Sequence, residues 1–157
     1  MSLLGLFRWL GGTPVGALIR DSTWGFAIVE MIHLLALAVL GGTILILDLR
    51  LIGLGLRRQP VRLLARELSP WFTGSLLVMV VSGTVLTSGE TLKCFYNQAF
   101  RWKMLLLAAA IAFYYTLHWK VVRSDGGEVG IASRLAGVIS LMLWLSVGVA
   151  GRAIGLI

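Results

Sequence analysis

The chain has 157 residues, is 58% hydrophobic, has a mean hydropathy of +0.91 and carries only 13% charged residues. Soluble domains carry about a quarter charged residues, so the composition excludes an ordinary soluble fold and points to an integral membrane protein, short enough to form one domain over residues 1–157. The formal charge of +7 comes from basic residues lying between apolar runs, which reads as membrane topology and not as a nucleic-acid surface.

The expected fold is all-α: an integral membrane four-helix bundle with a short N-terminal interfacial helix at about residues 2–11. Leu3, Leu4, Leu6, Phe7 and Leu10 give that helix an apolar face, with Trp9 at headgroup level. Arg8 inside the apolar stretch, and the helix-breaking Gly11-Gly12-Thr13-Pro14, argue against a cleaved signal. Transmembrane helices are expected at about residues 24–47, 71–87, 102–119 and 131–150, each near the ~20 residues that cross ~30 Å of hydrocarbon. Trp24, Trp71, Trp102 and Trp119 mark helix ends, as an interfacial aromatic belt does.

The first loop, taken as Asp48 to Pro70, carries Arg50, Arg57, Arg58, Arg62 and Arg66, and the third carries Lys120, Arg123 and Arg134. The positive-inside rule places these two loops in the cytoplasm and both termini in the periplasm. The expected location is therefore a bacterial inner membrane, crossed several times. Within the first loop, Val61 to Leu68 alternates apolar and basic positions, and Pro60 and Pro70 bracket it as a surface helix. Small residues at Gly41-Gly42, Ser82-Gly83-Thr84, Gly148 and Gly151 suit close helix packing and permit a homo-oligomer. Cys94, the single cysteine, has no internal partner for a disulfide.

Glu30 and His33 are the residues that need explaining. They lie inside the first apolar run, three positions apart and so on one helix face. Ionisable groups are costly in hydrocarbon and mark functional positions, although a buried histidine bonded to its neighbours is the plainer reading. Neutral imidazole is a haem ligand, and bundle interiors are where such sites are built. Arg8, Arg20, Arg101 and Lys103 are candidate partners for Glu30 at the outer side. Arg101 and Lys103 also suit haem carboxylates by charge. His118 is the other histidine and stands near the inner end of the third helix. Counted from Trp24 and Trp102, His33 and His118 differ in depth by roughly 10 Å, which weakens a bis-histidine pair. Met79 and Met142 lie near the depth of His33 as alternative ligands, though methionine is mostly core filling.

The run Glu30-Met31-Ile32-His33-Leu34-Leu35, followed by Gly41-Gly42, Asp48-Leu49-Arg50-Leu51-Ile52-Gly53, Pro70-Trp71, Ser82-Gly83 and Asn97-Gln98-Ala99-Phe100-Arg101-Trp102-Lys103, resembles a family of small, uncharacterised bacterial four-helix membrane proteins. That likeness covers nearly the whole chain. More distantly, the chain resembles the haem-b four-helix protoporphyrinogen oxidase and the membrane domain of copper-resistance protein D. The oxidase signature is a histidine on the first helix and a lysine near the start of the third; His33 and Lys103 stand in those places. The oxidase also has a histidine one turn before the position of His118, where this chain has Tyr114 and Tyr115 nearby.

The resemblance implies haem b. The expected function is a b-type cytochrome passing electrons to or from a quinone or a periplasmic redox protein, with His33 as axial ligand and Lys103 or His118 as second ligand or propionate holder. The alternatives are a porphyrinogen-oxidase-like enzyme and a non-catalytic structural or transport subunit. A scarcity of thiols and of methionine clusters argues against a copper pathway.

Overall fold

The computed structural model describes residues 3–55, 58–124 and 130–155. Among these every regular element is helical. The order is α1 (Leu3–Gly11), α2 (Pro14–Asp21), α3 (Thr23–Ile52), α4 (Val61–Gly89), α5 (Thr91–Tyr96), α6 (Gln98–Phe113), a π-helical turn (Tyr114–His118), α7 (Trp119–Ser124) and α8 (Ile131–Ala153).

Helices α3, α4 and α8 are each long and apolar enough to cross a membrane. Their outer faces carry exposed Leu35, Val81, Leu145 and Val149, among other large apolar side chains. Contiguous apolar surface of that kind is rare in water-soluble monomers and fits a lipid bilayer.

Helix α3 runs beyond the expected end near Leu47 because Leu47, Asp48 and Leu51 continue its buried face. It stops at Gly53, whose φ of 89° is the left-handed cap that glycine adopts without steric cost. Helix α4 begins at Val61 and passes through Pro70. The expected surface helix at 61–68 and the second span are therefore one element, with Val61 and Ala65 buried. The sequence reading also missed α2. Its signals were present: Thr13 Oγ accepts from the Gly16 amide at 3.2 Å, and Pro14 occupies the first turn.

Helix α3 packs against α4 on one side and α8 on the other, and α6 packs against α8. Helices α4 and α6 do not pack against each other, so the ring of long helices stays open between them. At one end α7 bridges α4 and α8, and at the other α1 and α5 pack together beside α4. One core cluster joins Ala36, Leu40, Ile44, Phe72, Met79 and Tyr114. A second joins Leu47, Leu51, Val61, Ala65 and Val122 nearer the α7 end.

The glycines at close contacts are not all the expected ones. A Cβ at Gly41, Gly42 or Gly148 would meet open space. At Gly137 it would stand 2.9 Å from the Asp48 carbonyl oxygen, so α3 and α8 approach closely only because Gly137 has no side chain.

Candidate functional site: an apolar cavity with a histidine and two cations

The gap between α4 and α6 holds a cavity of about 860 Å³. Leu76, Met79, Val80, Gly83 and Thr84 of α4 form one wall, and Arg101, Lys103, Met104 and Leu107 of α6 the other. His33 of α3 and Val147 of α8 form the back. Leu6, Phe7 and Leu10 of α1 close the end, so that helix turns part of its apolar face to the cavity. Phe7 packs edge-on against Phe95 and Phe100, which hold α1 there.

The orientation of His33 follows from its partner. Its Nδ1 lies 2.8 Å from Ser82 Oγ. The Ser82 hydroxyl lies 2.6 Å from the Val78 carbonyl, four residues back, and donates its single proton there. Ser82 Oγ is therefore the acceptor, His33 carries its proton on Nδ1, and Nε2 keeps its lone pair. Gly83 makes room for the ring, since a Cβ there would stand 3.2 Å from His33 Cε1.

Asn97 sets the start of α6 and hence the height of the two cations. Its Oδ1 accepts from the Phe100 amide at 3.1 Å, and its Nδ2 donates to the Ile154 carbonyl at 3.3 Å. Arg101 lies 5.5 Å over the Phe95 ring. The Lys103 chain runs along Gly151, where a Cβ would stand 3.5 Å from its Cε, and its ammonium is close enough to act electrostatically on His33. Among the described residues no carboxylate lines the cavity. Cys94 lines it from α5, and burial, followed by the Glu90 carboxylate, pushes that thiol's pKa up.

The structure thus brings His33, Lys103 and Arg101 to one cavity and leaves Glu30 and His118 outside it. Glu30 is exposed on α3 and makes no ion pair among the described residues, against the expectation of a basic partner. Met79 lines the cavity, whereas Met142 is 64% exposed and turns away. His118 is buried against Asp48, with Nε2 2.8 Å from Oδ1. Asp48 lies on α3 and not in the first loop, where the sequence pattern places it. The signal was the apolar period of α3, which continues through Leu47 and Leu51 on either side of it.

His33 and Asp48 are fifteen residues apart on α3, and Lys103 and His118 are fifteen apart along α6 and its continuation. The two polar levels are therefore ~22 Å apart along each helix. Taking Trp24 and Trp102 as level placed the two histidines too close in depth.

These features define a class: an all-helical bundle with helices suited to spanning a membrane and an apolar, cation-bearing cavity beside an oriented histidine. Residues 6–157 match the model of a family described as "Family of unknown function (DUF6644)", and the chain belongs to that family. Comparison with curated proteins and with solved structures found no match.

Proposed function

We propose that this protein is a b-type-cytochrome-like membrane protein, holding haem b in the α4–α6 cavity and passing electrons to or from a quinone or a periplasmic redox partner. In this reading α6, the π turn and α7 act together as a fourth membrane-crossing segment. The α3–α4 connection with Arg57 and Arg58, and the end of the bundle where α7 and α8 carry Lys120, Arg123 and Arg134, face the cytoplasm of a bacterium, and the cavity opens in the outer half of its inner membrane.

The observation that supports it is His33, with Nδ1 committed to Ser82 and Nε2 left as a base beside an apolar cavity of about 860 Å³. That volume is within the ~300–1,000 Å³ of ligand sites. Metal-ligating histidines characteristically donate their other ring proton in this way, which fixes tautomer and ring orientation. Haem is flat and apolar and carries two carboxylates. The cavity walls are apolar and offer Arg101 and Lys103 with no opposing carboxylate. Bound there, haem would supply one-electron redox chemistry at a potential set by ligand identity and burial. His33 would be its axial ligand, and Arg101 and Lys103 would hold the carboxylates or, for Lys103, the second axial position.

The test is a reduced-minus-oxidised spectrum of the full-length protein, purified in mild detergent from haem-replete cells. A haem band is expected, and His33→Ala removes it. A colourless wild-type preparation overturns the reading. Oxidation of a porphyrinogen by the coloured protein would make it an enzyme of the oxidase type.

A further inference from the structure

A second polar cluster stands at the opposite end of the bundle from the cavity. His118 Nε2 lies 2.8 Å from Asp48 Oδ1, and both side chains are almost fully buried, at 2% and 1% exposure. Asp48 Oδ2 and His118 Nδ1 are buried with no hydrogen-bond partner, and Ser140 Oγ is buried close to the Asp48 carboxyl. Buried polar atoms are nearly always paired, and an unpaired one in low dielectric is costly. Polar atoms left this way in one buried cluster call for an explanation.

The backbone is built to bring them together. Gly137 lets α8 meet α3 at the Asp48 backbone, and Ser140 lies one turn further along the same face, close to the Asp48 carboxyl. Ser133, Gly137 and Ser140 recur at helical spacing, all three buried, and lead from the α7–α8 end of the bundle to Asp48. His118 ends the π-helical turn, a rare conformation that is frequent at functional sites. Its ring stacks on Tyr114 at 5.0 Å, and Tyr114 stacks on Phe72 at 3.8 Å. This aromatic column separates the cluster from the His33 cavity.

The charges around the pair leave it to balance itself. Arg50 on α3 turns its Nε to the Gln59 carbonyl. Arg66 and Glu67 on α4, Lys120 on α7 and Arg134 on α8 are exposed. Tyr114 faces the pair from the π turn, and the α8 side contributes the Ser140 hydroxyl. Among the described residues Asp48 has no ion-pair partner but His118. With a neutral imidazole the pair has net charge −1, and one added proton takes it to zero. A net charge so deep in the bundle is unfavourable, and among the described residues no other ion pair shares it.

We propose that Asp48, His118 and Ser140 form a buried site that takes up and releases one proton, exchanged with water at the α7–α8 end of the bundle. The proton adds to the Asp48–His118 pair and leaves by the same end. The Ser140 hydroxyl donates to Asp48 Oδ2 in the carboxylate state. The site stands independently of the haem reading.

Infrared difference spectroscopy against pH tests it, on the full-length protein in lipid vesicles with isotope-labelled aspartate carboxyls. The chain's aspartates are Asp21, Asp48 and Asp125, so Asp21→Asn with Asp125→Asn leaves Asp48 as the labelled group. The expected result is an aspartate carboxyl signal that changes in one step with pH, moves with the label, and is displaced along the pH axis by Ser140→Ala. A labelled carboxyl that does not respond to pH, or a step unmoved in Ser140→Ala, overturns the proposal.

Discussion

His33 donates its Nδ1 proton to Ser82 Oγ across 2.8 Å, and Ser82 can accept it because its own proton goes to the Val78 carbonyl at 2.6 Å. The relay is directional. A helix carbonyl on α4 sets the hydroxyl, the hydroxyl sets the imidazole tautomer, and the tautomer leaves Nε2 basic. A residue outside the cavity lining thereby sets the orientation of the histidine that lines it.

Ser82→Ala removes the acceptor while keeping the fold of α4. Loss of such an outer partner of a metal-ligating histidine costs roughly 10–100-fold in affinity. Haem titration into the purified variant is expected to show a loss of that size, with the helical circular dichroism unchanged.

Gly83→Val fills the space that the His33 ring uses, where even a Cβ stands 3.2 Å from Cε1. The ring must turn or the helices must part. Weaker haem retention than in Ser82→Ala is expected, read as the haem-to-protein ratio after purification.

On the haem proposal the two cations of the cavity act through charge. A hydrogen bond to a charged group contributes about 1.5–3 kcal/mol. Arg101→Ala and Lys103→Ala should each weaken haem binding by roughly tenfold or more on that basis. Haem dimethyl ester, which lacks the carboxylates, should discriminate far less between the wild type and Arg101→Ala. An equal loss for both ligands would assign Arg101 to packing.

The buried Asp48–His118 pair predicts an asymmetry in stability. Removing one member of a buried pair leaves an uncompensated charge and costs about 3–5 kcal/mol, whereas replacing both by apolar residues is often nearly neutral. His118→Leu is expected to lower the thermal unfolding transition more than the double variant Asp48→Leu with His118→Leu.

Cys94 gives a pH-dependent reading of the cavity. Its pKa is raised, first by burial and then by Glu90, so at any given pH less thiolate is present than in the unfolded chain. Thiolate is the reactive form. Maleimide labelling of the native protein is expected to lag behind that of the denatured protein, and the rate should rise only at higher pH than for a free thiol. Because Cys94 lines the cavity, haem should slow the reaction further.

Composition and apolar run length were enough to read an all-helical chain with helices fit for a membrane, because twenty or so apolar residues are a local property of the chain. Glu30 and His33 stood out for the same reason, as ionisable groups inside such a run. The cations Arg101 and Lys103 were legible as a group by their place at the outer end of the expected third span. The helix starts at Asn97 and Thr13 were written in capping chemistry, though only the first was near a residue the reading already valued.

Sequence alone determined the helical and apolar character of the long spans and the presence of ionisable residues within them, since each depends on neighbours within a turn or two. Tertiary structure decided which of those residues meet. It sorted His33, Lys103 and Arg101 into one cavity and left Glu30 outside it. It drew Asp48 out of a supposed loop and paired it with His118, seventy residues away. Those pairings depend on helix register and rotation, which Gly137, Gly83 and the gap between α4 and α6 set through close packing. A one-turn slide moves every contact by ~5.4 Å while leaving each helix's own sequence pattern unchanged.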